Sequence, residues 1–226
     1  ILIYEHIGLI FFIIFVLYKN GNELMEKIRR ISTEFAEAFN QSELYNLYKE
    51  HKHELFIGIR NKYVNLYYNC DNIAKIEYIN KKITCKINNY YLYGENRDTK
   101  GYEQVEPKKI CKQYDVIKKH SDERRTSEKK AQSKLVLLNN QNSASNWFCI
   151  DIEYVKPFKN EAEKNEANFN ARFDIIALSK EKPHRVALIE LKYGSDSIGG
   201  KSGIYKHVKD FSDFLEKDYF RDLFRK

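Results

Sequence analysis

Asp174, Glu190 and Lys192 are the residues whose types and spacing could do chemistry. They sit in two short apolar runs, 172–178 and 185–192, separated by a polar Ser-Lys-Glu-Lys-Pro-His stretch. Length, β-branched content and punctuation predict a hairpin of two strands. Residues two apart in a strand share a face, so Glu190 and Lys192 project together with Leu191 opposite. An antiparallel return brings Asp174, near the start of the first strand, close to Glu190, near the end of the second. Two carboxylates and an ammonium at one end of an apolar hairpin are costly to desolvate unless something pairs them, and a divalent metal would do so. The plainer alternative is a surface salt bridge between Lys192 and either acid, worth little energetically.

The pattern resembles the PD-(D/E)XK nuclease superfamily, with its restriction-endonuclease-like fold. The matching residues are Phe-Asp at 173–174 and Ile-Glu-Leu-Lys-Tyr-Gly at 189–194, followed by a basic helix beginning near Gly203. The likeness covers roughly the C-terminal half, and Phe173 stands where the family name has proline. It implies an α/β fold of mixed α+β character, with a central mixed sheet flanked by helices. It also implies a metal-dependent phosphodiester hydrolase acting on nucleic acid, with DNA favoured over RNA. The alternative is a catalytically inactive nucleic-acid- or partner-binding protein of the same fold.

Carried onto this sequence, the resemblance places Mg2+ or Mn2+ between Asp174 and Glu190, with the Leu191 carbonyl as a third oxygen ligand; hard oxygens suit both ions. Lys192 would orient or help deprotonate the attacking water and offset developing negative charge. Many relatives draw a further Glu from the first core helix, and Glu128 is the candidate for that role; pairing with a neighbouring arginine is the other reading. Glu153 is a further candidate metal or water ligand. The second core helix of the family often presents a basic residue to substrate phosphate, which points to Lys206 with His207 behind it. Lys201 at the head of that helix, and Arg124 and Lys129 in the densest basic run, complete the expected nucleic-acid contacts. No G-x-x-x-x-G-K-[ST] loop occurs, so no nucleotide cofactor is expected.

The elements that must position these residues follow from periodicity. A chain of 226 residues buries one core, or one core plus a smaller module. Its net charge of +7 favours a polyanionic partner. Residues 23–50 read as helix, either continuous or broken near Asn40, with Ile28, Ile31, Phe35, Ala38 and Phe39 at helical spacing. From 54 to 93 the period changes to two. Strand candidates at 55–60, 63–68, 73–79, 83–87 and 90–93 make an antiparallel meander of four or five strands. Its Arg60, Lys62, Tyr67 and Tyr68 could track a nucleic-acid strand, although packing against the rest of the protein is the simpler reading. Residues 94–119 read as irregular. Residues 121–138 read as a helix capped by Ser121, with Arg124, Glu128, Ala131, Leu135 and Leu138 on one stripe. Residues 146–155 read as a strand with Asp151 and Glu153 on one face, 157–170 as a loop, and 204–216 as a basic helix. The family core usually adds a strand after that helix; residues 217–226 read as helix instead.

The domain organisation expected from this is an apolar leader at 1–24, a helix-plus-meander module at 25–100 and the nuclease-like core at 101–226. Residues 7–18 are almost wholly apolar and, with 1–4, approach the roughly 20 residues that span a bilayer, but Glu5 and His6 interrupt them. Met25 is the only methionine and an amphipathic helix follows it, so 1–24 is read as upstream read-through, with a membrane anchor second and a signal peptide disfavoured. Cys70, Cys85, Cys111 and Cys149 lack C-x-x-C spacing, which argues against a zinc ribbon and for a reducing, cytoplasmic setting. His51 and His53 could ligate a metal, but a solvated helix end is the expectation there.

Overall fold

A computed structural model describes residues 2–6, 10–18, 31–95, 100–124, 127–156, 158, 160–167, 172–193, 204–217 and 219. Helices and strands are mixed, and the chain divides into two units, Arg29–Leu137 and Ile1–Ile28 with Leu138–Lys226. The expected break near 100 therefore falls at 137/138.

In the first of these units two serines set the helices. The Ser32 hydroxyl accepts the Phe35 N–H at 3.2 Å and opens α1 (Thr33–Asn40); Ser42 does the same for Tyr45 at 3.2 Å and opens α2 (Glu43–Glu50). The break near Asn40 is thus a pair of capped helices, which bury Phe35, Phe39, Leu44 and Leu47. An antiparallel sheet runs β3 (Leu55–Ile59), β4 (Tyr63–Tyr68), β5 (Asp71–Ile79), β6 (Lys82–Asn88) and β7 (Tyr102–Val105), in that order. Its two-residue turns Asn69-Cys70 and Asn80-Lys81 have positive φ throughout, the geometry that matches strand twist and that Asn tolerates. The core lies between α1, α2, one face of this sheet, α4 (Pro107–Lys112) and α5 (Tyr114–Glu123), around Leu66, Ile73, Ile76, Ile87, Ile110 and Ile117.

The second unit carries a sheet of order β1-β2-β10-β9-β8. Its strands are β1 (Leu2–His6), β2 (Ile10–Tyr18), β8 (Trp147–Val155), β9 (Arg172–Ser179) and β10 (Arg185–Tyr193). The β9–β10 hairpin is the one expected, closed by the Ser179 hydroxyl accepting the Arg185 N–H at 2.7 Å. α6 (Ser127–Gln141) reaches this unit at its end. There Asn140 pairs with Cys149 like a strand residue, its amide nitrogen donating to the Cys149 carbonyl and its oxygen accepting the Cys149 N–H. α8 (Ile204–Glu216) packs Phe211 and Phe214 on Phe173, with ring centroids 4.8 and 4.7 Å apart.

Several expectations are corrected here. Every strand pairing among the described residues is antiparallel, so neither sheet is the mixed sheet expected. The apolar leader supplies β1 and β2, with β2 paired to β10 from Arg185↔Tyr18 to Tyr193↔Ile10. A short apolar run rich in Ile, Phe and Val serves a sheet as readily as a membrane, and hydropathy alone does not separate them. No helix among the described residues is long and apolar enough to cross a membrane. Residues 90–93 belong to α3 (Asn89–Tyr93), because the Asn88 side chain caps Tyr90 N–H at 2.9 Å; the fifth strand is β7 instead. Residues 94–119 hold β7, α4 and most of α5, and 157–170 hold α7 (Glu161–Ala167). Ser121 lies inside α5 rather than capping a helix: its hydroxyl donates to Asp71 at 2.9 Å.

Candidate active site

The β9–β10 hairpin brings Asp174 and Glu190 into adjacent register. Its pairs run from Val186↔Leu178 to Ile189↔Ile175, and Asp174 and Glu190 are the residues that flank the end of this ladder. There the Asp174 side chain replaces a backbone acceptor: its Oδ2 takes the Leu191 N–H at 2.8 Å. The Asp174 carboxylate therefore lies against the Glu190–Leu191 peptide link. Both acids are withdrawn from solvent, at 5% and 2% exposure. The N–H and C=O of one strand residue project toward the same neighbouring strand, so the Leu191 carbonyl is directed to the β9 side too. Two buried carboxylates and a backbone carbonyl offer hard oxygens, the donor type that a divalent cation such as Mg2+ takes.

α8 closes over this end of the hairpin. His207 Nε2 stands 3.1 Å from Glu190 Oε1, and His207 shares a helical stripe with Phe211 and Phe214, which anchor α8 on Phe173. His207, expected to meet substrate phosphate behind Lys206, instead faces a protein carboxylate. Lys192 holds its place in β10 opposite Phe11, and Lys206 lies in the first turn of α8; the side chains of both lie outside the described residues, as does Lys201.

Glu153 lies in β8 between Ile152↔Ile175 and Tyr154↔Phe173, at the register step that faces Asp174. β8 carries a bulge between Cys149 and Asp151, and Glu153 sits at φ 53°. Strict alternation is interrupted before Asp151 and again at Glu153. Asp151 is fully buried, with Oδ1 accepting the Ile152 N–H at 2.9 Å. Glu153 reaches Arg172 at 3.1 Å. Glu128 belongs to the other unit, near the start of α6. The buried stripe of α6 is Gln132, Ser133 and Val136, while Leu138 is exposed, so the helix is rotated from the stripe expected through Glu128. Arg124 and Lys129 converge on the buried Asp71, at 2.7 and 3.7 Å, and Arg124 also donates to the Tyr91 hydroxyl. They serve an internal carboxylate of the helix-and-meander unit. Arg60 and Tyr67 are likewise buried and bonded to one another at 3.0 Å, with Asn65 donating to the same hydroxyl at 2.8 Å.

One constellation enlarges the His51 and His53 pair that the sequence offered without a third ligand. Among the described residues, one group of three His, Cys, Asp or Glu side chains brings its ligand atoms within 4.8 Å of one another: His51, His53 and Glu54. The signal was present as H-K-H-E, but only the turn geometry folds Glu54 back onto the histidines.

Comparison with models of known protein families, with curated proteins and with solved structures finds no match in any of the three.

Proposed function

We propose that this protein is a metal-dependent nuclease hydrolysing phosphodiester bonds, with DNA the favoured substrate, built on a variant of the restriction-endonuclease-like core. One observation carries the reading. The Asp174 carboxylate is clamped by the Leu191 amide against the strand that bears Glu190 and Lys192, and both acids are buried. Burying two carboxylates at one end of a hairpin opposes stability unless cations or donors compensate them.

Asp174 and Glu190, with the Leu191 carbonyl, would hold Mg2+ or Mn2+. When bound, such an ion supplies Lewis-acid polarisation of the scissile phosphate and stabilises charge during in-line attack. Asp174, its carboxylate fixed by the hydrogen bond it accepts from the Leu191 N–H, keeps the donors preorganised. Lys192, two residues beyond Glu190, orients the attacking water and offsets the developing negative charge. The +7 net charge of the chain supports a polyanionic substrate.

A second reading, a binding protein of the same fold without catalysis, is favoured by His207. Its Nε2 at 3.1 Å from Glu190 Oε1 provides an internal partner where a cation is expected. Titration of Mg2+ and Mn2+ against plasmid, single-stranded DNA and RNA, with wild type and Lys192→Ala, separates the two. Divalent-dependent cleavage lost in the variant supports the nuclease; binding without cleavage by wild type at any concentration rejects it.

A further inference from the structure

The turn between α2 and β3 gathers donors of a different chemistry. His51 caps α2, its N–H donating to the Leu47 carbonyl at 3.0 Å, and the His51 carbonyl accepts both the Glu54 and Leu55 N–H at 2.9 Å. This tight closure places Glu54 under the two imidazoles, so that one ligand atom from each of His51, His53 and Glu54 falls within 4.8 Å of the others. His51 Nδ1 lies 2.9 Å from Glu54 Oε1. The other side of the cluster is braced by α5. The His51 ring packs against Tyr114 at 4.7 Å, and the Tyr114 hydroxyl donates to Glu54 Oε1 at 3.1 Å. Lys118 Nζ donates to both Glu54 oxygens, at 2.8 and 2.7 Å. Two of the three donors are thus held by supporting contacts of the kind that orient metal ligands, and the third, His53, is exposed and able to rotate inward.

We propose that His51, His53 and Glu54 form a site for a divalent transition ion of the Zn2+ class, bound by two imidazole nitrogens and one carboxylate oxygen. Such mixed donors prefer Zn2+, Co2+ or Ni2+ over Mg2+, which seeks oxygen alone. With metal–ligand bonds of about 2.0–2.2 Å, ligand atoms must close to roughly 3.3 Å apart, a contraction that rotation of His53 supplies. Lys118 is a built-in competitor, since its ammonium already compensates Glu54. A bound ion displaces it from Oε1, and the half-buried side chain has solvent within reach. The site ties the α2–β3 turn to α5 and is independent of the hairpin acids.

The test uses the full chain without a histidine tag, titrated with Zn2+ by calorimetry and with Co2+ by visible absorption. The expected result is one equivalent bound with nitrogen-ligand d–d bands. Those bands persist in Asp174→Asn and are lost in both His51→Gln and His53→Gln, with affinity down at least about tenfold. Lys118→Met, which removes the competing charge, binds about tenfold tighter. Far-UV circular dichroism and a Zn2+-induced rise in melting temperature, present in wild type and absent from the histidine variants, separate ligand loss from misfolding. Absence of Zn2+ binding by wild type, or unchanged binding in the two histidine variants, overturns the site. Unchanged or weaker affinity in Lys118→Met overturns the role given to Lys118.

Discussion

The backbone amide of Leu191 donates to the Asp174 carboxylate at 2.8 Å, so an acid from one strand is fastened to the very peptide link that follows Glu190 on the next. Substitutions here should separate charge from scaffold. Asp174→Asn keeps an oxygen acceptor for Leu191 while removing the negative charge, so the fold persists and divalent-dependent cleavage falls at least about a hundredfold. Lys192→Ala should lower the cleavage rate by about 10²–10⁴-fold, the usual contribution of a positioned acid–base group. Single-turnover cleavage alongside thermal denaturation reads both. Full activity in Asp174→Asn would remove Asp174 from the metal set.

His207 and the metal compete for one carboxylate in this arrangement. His207→Ala should leave Glu190 more available, tightening Mg2+ by about tenfold, in line with the worth of a largely buried contact to a carboxylate. Calorimetric titration at fixed pH measures it. A weaker Mg2+ affinity would mean that His207 assists the site rather than competing for it.

The hairpin was readable because its signal is local. Both β-branched runs and the polar turn between them were bounded within a residue or two, and the adjacency of Asp174 and Glu190 follows from register. What could not be read depends on tertiary choices. The apolar residues 10–18 carry no pattern distinguishing a sheet strand from a membrane segment, and their pairing with β10 is a tertiary contact that the sequence does not announce. The bulge in β8 and the positive φ at Glu153 interrupt an alternation that the sequence alone presents as regular. α6 buries the polar Gln132 and Ser133 and exposes Leu138, an orientation opposite to the one its apolar residues suggest. From sequence His207 reads as a basic helix residue; the seating of Phe211 and Phe214 on Phe173 directs it to Glu190.

Asp71, 1% exposed, gathers Ser121, Arg124 and Lys129, which makes it the electrostatic pin of the helix-and-meander unit. Arg124→Ala leaves that buried carboxylate with fewer compensating donors and should cost about 3–5 kcal/mol of unfolding free energy. Asp71→Asn should cost less, about 2–3 kcal/mol, because Arg124 is partly exposed and regains water. The double variant should fall short of the sum, as expected for groups in one network. Urea unfolding gives all three values. Loss of DNA affinity in Arg124→Ala without loss of stability would return this residue to a phosphate-contacting role.

Glu54 should give stability a specific pH signature. Burial pushes its carboxyl up, but the Lys118 and Tyr114 hydrogen bonds, the Lys118 charge and the His51 contact together outweigh this and hold it below its ordinary value of 4.5. A carboxyl with a lower pKa folded than unfolded binds fewer protons in the folded state, so its contribution is complete above the unfolded value and disappears as pH falls through the folded one. With a chelator present to exclude metal ions, the melting temperature of wild type should exceed that of Glu54→Gln by a constant margin above about pH 5. The two curves should converge as the solution is acidified below the ordinary carboxylate range. Lys118→Met should narrow the margin at neutral pH, since it removes the principal donor and charge lowering the Glu54 pKa. A margin that instead widens on acidification would mean that Glu54 is held protonated by burial, with the Lys118 contact too weak to offset it.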